Sequence, residues 1–198
     1  IVILVVISIF IIVILIRIHI RILILILIVF VIVIVIVVVL ILIVNIEKLN
    51  PLKMEAVAAD GSVKSALAIN EVSLLRAGPQ AARLSISVDG KIRMSELVSD
   101  GVLLSTPAGS TAYNYSAHGP ILPIGSDVLA LTALNAFRPR RWRGALLPKK
   151  STAEVEVLEP EKRPVMADAD SGSFKNVVRV IISSADYIQH NILFDPGH

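Results

Sequence analysis

Two Asp-Gly pairs constrain this chain more than any other feature. Asp60-Gly61 lies between the runs 53–58 and 63–69, and Asp89-Gly90 lies between 83–88 and 91–94, the second pair of runs alternating apolar and polar residues throughout. Asp-Gly between alternating runs is the strongest short-range hairpin signal: glycine accepts the positive φ of a tight turn, and alternation turns one face of each strand toward a core. Further strands are expected at 101–105, 128–132, 153–158, 165–167, 177–183 and 187–194. Many short strands with few helices predict a β-sandwich-like domain.

Residues 1–44 break the pattern. They are Ile, Val and Leu apart from Ser8, Phe10, Arg17, His19, Arg21 and Phe30, and they inflate a hydrophobic content of 55% that the rest of the chain does not share. Apolar runs on either side of Arg17, His19 and Arg21 have the length of membrane spans, at about 20 residues per helix. Membrane helices, however, carry small residues at their packing faces and Trp or Tyr at the interfaces. This segment has no Gly, Ala, Pro, Thr, Trp or Tyr. We therefore set 1–44 apart as a low-complexity segment and take 45–198 as the part that carries function, with a membrane segment as the alternative.

Charge and cysteine usage narrow the function classes. A net charge of +3 makes no case for a nucleic-acid partner. The absence of cysteine excludes a disulfide framework and a thiolate zinc site, which fits a cytoplasmic protein. Ser110, His118 and Asp127 are the residue types of a hydrolase triad, but no Gly-x-Ser-x-Gly elbow surrounds Ser110. His19, His118, His190 and His198 lack metal-ligand spacing. The run Arg138-Pro139-Arg140-Arg141-Trp142-Arg143 reads as a solvated or subunit-contact face, with phosphate binding as the sharper alternative.

The stretch with the most chemistry is Thr106-Pro107-Ala108-Gly109-Ser110-Thr111-Ala112-Tyr113-Asn114-Tyr115-Ser116. An apolar strand, 101–105, runs into a Pro/Gly loop, and small hydroxyl residues then open a short helix expected to end near Gly119-Pro120. Free N–H groups at a helix start, the hydroxyls of Ser110, Thr111 and Ser116, and the flat ring of Tyr113 suit a polar ligand with an aromatic part. The same residues also suit a plain strand-turn-helix connection in which Ser110 or Thr111 caps.

With Ser99-Asp100-Gly101 before it and Ala68-Ile69-Asn70-Glu71-Val72 further upstream, this stretch resembles the signature of the NAD kinase family, and the resemblance runs from about Asn45 to the end of the chain. It implies an α+β protein: an N-terminal α/β, Rossmann-like domain, of which 1–44 would be a remnant or placeholder, and a C-terminal β-sandwich-like, dinucleotide-binding domain at 45–198. It implies phosphorylation of the 2′-hydroxyl of the adenosine ribose of NAD, with ATP and a divalent metal, Mg²⁺, to give NADP. The residues it points to as dinucleotide-binding are Asn70, Glu71, Asp100, Ala108, Thr111, Ala112, Tyr113, Asn114, Tyr115, Ser116 and Asp170, the last chosen over Asp168. An Asn side chain matches an adenine edge, carboxylates can accept from ribose hydroxyls or a carboxamide, and Tyr113 can stack on a base.

The family's Gly-Gly-Asp-Gly loop, with the Asp that takes the 2′-hydroxyl proton, has no counterpart upstream of Gly61, the first glycine of this sequence. The general base therefore has no number here, and the complete protein is expected to carry such a loop. The expected partners are small-molecule nucleotides and further copies of the chain, as a dimer or tetramer, with neither nucleic acid nor a membrane involved. The competing classes are a non-catalytic dinucleotide-binding module and a membrane-anchored protein with a related β domain.

Overall fold

The computed structural model describes residues 2–43, 45–170 and 172–194, so Ile1, Val44, Ser171 and 195–198 lie outside the described residues. The chain divides into two compact units, Ile1–Ile46 with Leu193–His198, and Glu47–Ile192. The first is dominated by one helix, α1 (Val2–Ile43). Within it, Ile14–Val39 has the length and composition to cross a bilayer, with a mean hydropathy of 4.2 and none of it buried in the protein. The described residues of the low-complexity segment thus contain this helix and no strand, so an α/β domain is not among them.

The second unit is a sandwich of two antiparallel six-stranded sheets. The strands in chain order are β1 (Asn45–Leu49), β2 (Leu52–Ala58), β3 (Val63–Ala68), β4 (Glu71–Arg76), β5 (Ala82–Val88), β6 (Lys91–Ser99), β7 (Gly101–Ser105), β8 (Val128–Leu134), β9 (Gly144–Pro148), β10 (Ala153–Val157), β11 (Val165–Ala169), β12 (Gly172–Phe174), β13 (Val177–Ser184) and β14 (His190–Phe194). One sheet has the order β3-β2-β13-β10-β5-β6, the other β12-β11-β4-β7-β8-β9, and β1 pairs with β14 in a two-stranded ribbon.

Alternation decides which residues meet between the sheets. From the first sheet come Leu52, Met54 and Ala56 of β2, Leu84, Ile86 and Val88 of β5, Val155 of β10 and Val180 of β13; from the second come Val72 and Leu74 of β4, Val102 and Leu104 of β7, Leu129 and Leu131 of β8 and Ala167 of β11. The second Asp-Gly pair makes the tight hairpin its residues demand: Val88 faces Lys91, and Asp89 and Gly90 both have positive φ, 51° and 73°. At the first pair, Val57 faces Val63, so Asp60-Gly61 lies in a wider loop that closes where the Gly61 N–H donates to the Ala58 carbonyl at 2.9 Å.

Four strands were not anticipated; the first, β1, is five residues long and pairs with β14 outside the two large sheets. In β4, Val72, Ser73 and Leu74 are all buried, so the alternation that marks a half-exposed strand is missing. Strands β9 and β12 are edge strands, five and three residues long, with too little pattern to register. The strand expected at 187–194 starts only at His190.

Truncating the core should separate the two sides of the alternation. Leu84→Ala and Leu104→Ala, each at a position with no exposed surface, are expected to cost about 2–5 kcal/mol, whereas Ile92→Ala, 68% exposed, should cost under about 0.5 kcal/mol. Urea denaturation of the three variants reads the difference.

Candidate functional site

All five residues of β7 and six of the seven of β8 are buried, on both faces of the sheet. One face meets the core; the segment 106–122 covers the other. Covering polypeptide must find partners for its own polar groups, and here three buried side chains supply them. The Ser110 hydroxyl donates to the Pro107 carbonyl at 2.7 Å and accepts from the Leu122 N–H at 3.0 Å. The Asn114 amide donates to the Ser110 carbonyl at 3.0 Å and the Pro120 carbonyl at 2.8 Å, while its oxygen accepts from the Thr132 hydroxyl of β8 at 2.6 Å.

The helix expected here is shorter than its residues suggested. A 3-10 turn, Ala108–Thr111, and a single α-helical turn, α2 (Tyr113–Ser116), are separated by Ala112, whose ψ of −126° interrupts the helix. Four residues build no useful helix dipole, so the site does not rest on a helix N-terminus. Ser110 and Asn114, both candidates for ligand contact, are fully buried and committed to the segment's own backbone and, for Asn114, also to Thr132. What the break achieves is display: Thr111, Tyr113, Tyr115 and Ser116 are exposed around it.

Tyr113 and Ser116 line a cavity of about 610 Å³ together with Asp100, His118, Asn135 and the trio Arg141, Trp142 and Arg143. Asp100 is gripped at both oxygens, by Arg76 Nε at 2.6 Å and by Asn135 Nδ2 at 2.8 Å. The Asn135 bond, with Arg76 behind it, holds the Asp100 carboxyl below its ordinary range, so it is ionised and fixed in direction. The basic run read from sequence as a solvated or subunit-contact face thus supplies wall residues of this cavity, through its last three members. Arg76 and Asn135 carry no motif of their own and were not foreseen.

Where β4 and β11 pair, the chain brings Asn70, Glu71, Asp168 and Asp170 together. Glu71 in β4 and Asp168 in β11 share a face of the sheet, because Asp168 pairs with Ser73, two residues from Glu71. Burial, then the neighbouring Asp170, pushes the Glu71 carboxyl up. The Tyr113 phenol is also pushed up, first by burial and then by the charges of Asp100, Glu71 and Asp168, and so stays a neutral donor at physiological pH. Asp168, passed over in favour of Asp170, is therefore among the charges that act on Tyr113. Asn70 is exposed; Ala108 and Ala112 are partly exposed small residues beside it in the covering segment.

Glu71 Oε2 and Asp168 Oδ1 are buried and have no hydrogen-bond partner. Two carboxylates can contribute to an Mg²⁺ held mainly by phosphates and water. Among the described residues no three His, Cys, Asp or Glu side chains converge as a metal site, so the donors present do not form a protein cage for the ion.

The family profile described as "ATP-NAD kinase C-terminal domain" matches residues 69–188, a span that includes every one of these side chains. The chain belongs to the NAD kinase family. It is 68% identical over 152 residues to an NAD kinase of Cereibacter sphaeroides, covering 77% of this chain and 60% of that protein. To the NAD kinase of Hyphomonas neptunium it is 56% identical over 150 residues, covering 76% of this chain and 59% of the relative. The chain thus spans about three fifths of these relatives' length. Two solved structures share the fold: yeast NADH kinase complexed with NADH, at a TM-score of 0.67 and 23% identity over 77% of this chain and 45% of that one, and an Archaeoglobus fulgidus NAD kinase in complex with ATP, at 0.61 and 21% over 78% and 56%.

The strained protonation of Glu71 has a sign that can be measured. With its folded-state pKa above the unfolded value, the ionised form opposes folding, so stability is greatest below the ordinary carboxylate range and is lost as pH rises through the folded pKa. Glu71→Gln is therefore expected to raise the melting temperature at pH 8 and to leave it unchanged near pH 4. Thermal melts across that range decide it.

Proposed function

We propose that the protein containing this chain is an NAD kinase, transferring the γ-phosphoryl group of ATP to the 2′-hydroxyl of the adenosine ribose of NAD. The observation that carries the reading is the family match over 69–188, which takes in every candidate residue from Asn70 to Asp170. The transfer forms a bond from the γ-phosphorus to the 2′-oxygen and breaks the bond to the departing ADP. The 2′-hydroxyl proton goes to a base, for which the Asp of a Gly-Gly-Asp-Gly loop is the group the family implies.

In this reading the residues of this chain bind and orient the dinucleotide. Asn70 meets the adenine edge with a donor and an acceptor, and Thr111 and Ser116 offer hydroxyls. Tyr113 supplies a ring face and a neutral phenol. Asp100, fixed by Arg76 and Asn135, accepts from a ribose hydroxyl or the carboxamide. The small Ala108 and Ala112 let backbone approach the ligand, Gly109 lets the turn close on the Asn70 backbone, and Tyr115 is exposed beside them. Mg²⁺ belongs with the phosphates, and no side chain of this chain is assigned to it. We also propose a soluble, cytoplasmic homo-oligomer of two or four subunits, acting on small nucleotides rather than on nucleic acid or membranes; recovery only in detergent-extracted membranes would overturn the soluble part.

The purified protein should form NADP from NAD, ATP and Mg²⁺ in a coupled dehydrogenase assay. Asn70→Ala, Asp100→Ala and Tyr113→Ala should each weaken NAD binding by roughly ten- to a hundredfold, the effect of about 1–3 kcal/mol for an unpaired polar group. Lys91→Ala, in the β5–β6 hairpin of the other sheet, is the silent control. Arg141→Ala should lower affinity if the basic run serves the cavity. Binding without NADP formation would leave a dinucleotide-binding module, and wild-type affinity in all three site variants would remove the site.

A further inference from the structure

We propose that Asp170 is a positioning residue, acting on the dinucleotide by holding the backbone of residues 69–71 rather than by touching the ligand. The inference rests on the dinucleotide reading of the site. One carboxylate reaches three successive amides: Asp170 Oδ2 accepts from the Ile69 N–H at 2.6 Å, and Oδ1 accepts from the Asn70 N–H at 3.2 Å and the Glu71 N–H at 3.4 Å. These groups come from opposite ends of the domain's sequence, about a hundred residues apart. The Asp170 N–H donates back to the Glu71 carbonyl at 3.4 Å, closing the contact in both directions. Bonds to an ionised acceptor are about twice as strong as neutral ones, and three of a carboxylate's roughly four lone-pair directions are taken here.

The carbonyl side of the same segment is held independently. The Thr106 hydroxyl donates to the Ile69 carbonyl at 2.6 Å and the Thr106 N–H to the Asn70 carbonyl at 2.9 Å. Gly109 lies so close to the Asn70 backbone that a Cβ there would collide with it. The Asn70 side chain takes part in none of the described hydrogen bonds and is exposed, so the contacts that place it are those of its backbone. Asp170 grips the amides, the 106–109 turn grips the carbonyls, and Asn70 and Glu71 are aimed by what lies between.

The test combines amide hydrogen exchange with calorimetric titration of NAD on the full protein, for Asp170→Asn and Asp170→Ala. Each is made alone and in an Asn70→Ala/Glu71→Ala background, with melting temperature as the folding control. The expected result is exchange at least about tenfold faster at 69–71 with β5 and β10 still protected, and NAD affinity about tenfold weaker. In the background without the two positioned side chains, the same substitutions should change affinity by less than about twofold. Unchanged exchange at 69–71, or a full tenfold loss persisting in that background, overturns the inference and makes Asp170 at most a direct ligand contact. If the unaltered protein binds no NAD, the dinucleotide reading fails, while the exchange pattern still decides whether Asp170 holds the segment.

Discussion

Burying a strand on both faces obliges the covering polypeptide to satisfy its own polar groups, and most of this site follows from that obligation. Strands β7 and β8 carry the core on one face, so the segment 106–122 must lie on the other with its backbone out of water. Ser110, Asn114 and Thr132 meet that demand from within. The chain breaks at Ala112, and Thr111, Tyr113 and Ser116 on either side of the break are exposed. The hydroxyl-rich composition of this stretch thus serves two purposes, and burial separates them residue by residue.

The same sheet sets the electrostatics. Asp100 leads into β7 and Glu71 opens the adjacent β4, yet their carboxyls shift in opposite directions. Asp100 has donors at both oxygens, from Asn135 and Arg76, and its ionised form is favoured. Glu71 is buried beside another acid, and its ionised form is disfavoured. Burial first, and then the field of both, pushes the Tyr113 phenol up and keeps it protonated.

Much of the sandwich is legible in the residue order. Asp89-Gly90 requires a tight turn because only a pair tolerant of positive φ closes a two-residue loop, and the alternation in 53–58 and 83–88 names Met54, Ala56, Leu84, Ile86 and Val88 as core-facing. The order of residues in 106–116 carries the family resemblance, and the profile matches it. Strand β4 escapes because Val72-Ser73-Leu74, buried on both faces, has no period to detect.

The residue order by itself therefore determined the two Asp-Gly hairpins, the turn chemistry and the chemistry-bearing stretch, since these depend on contacts within a few positions. Tertiary structure alone decided which of those side chains are available. Nothing local distinguishes Asn114, sealed against Thr132, from Tyr113 one position earlier, which faces the cavity. Nothing local joins Asp170 to the amides of 69–71, or Asn135 to Asp100, or sets Arg141 and Trp142 into the same cavity wall. Those placements depend on sheet register and on pairings between strands far apart in sequence, which no short window contains.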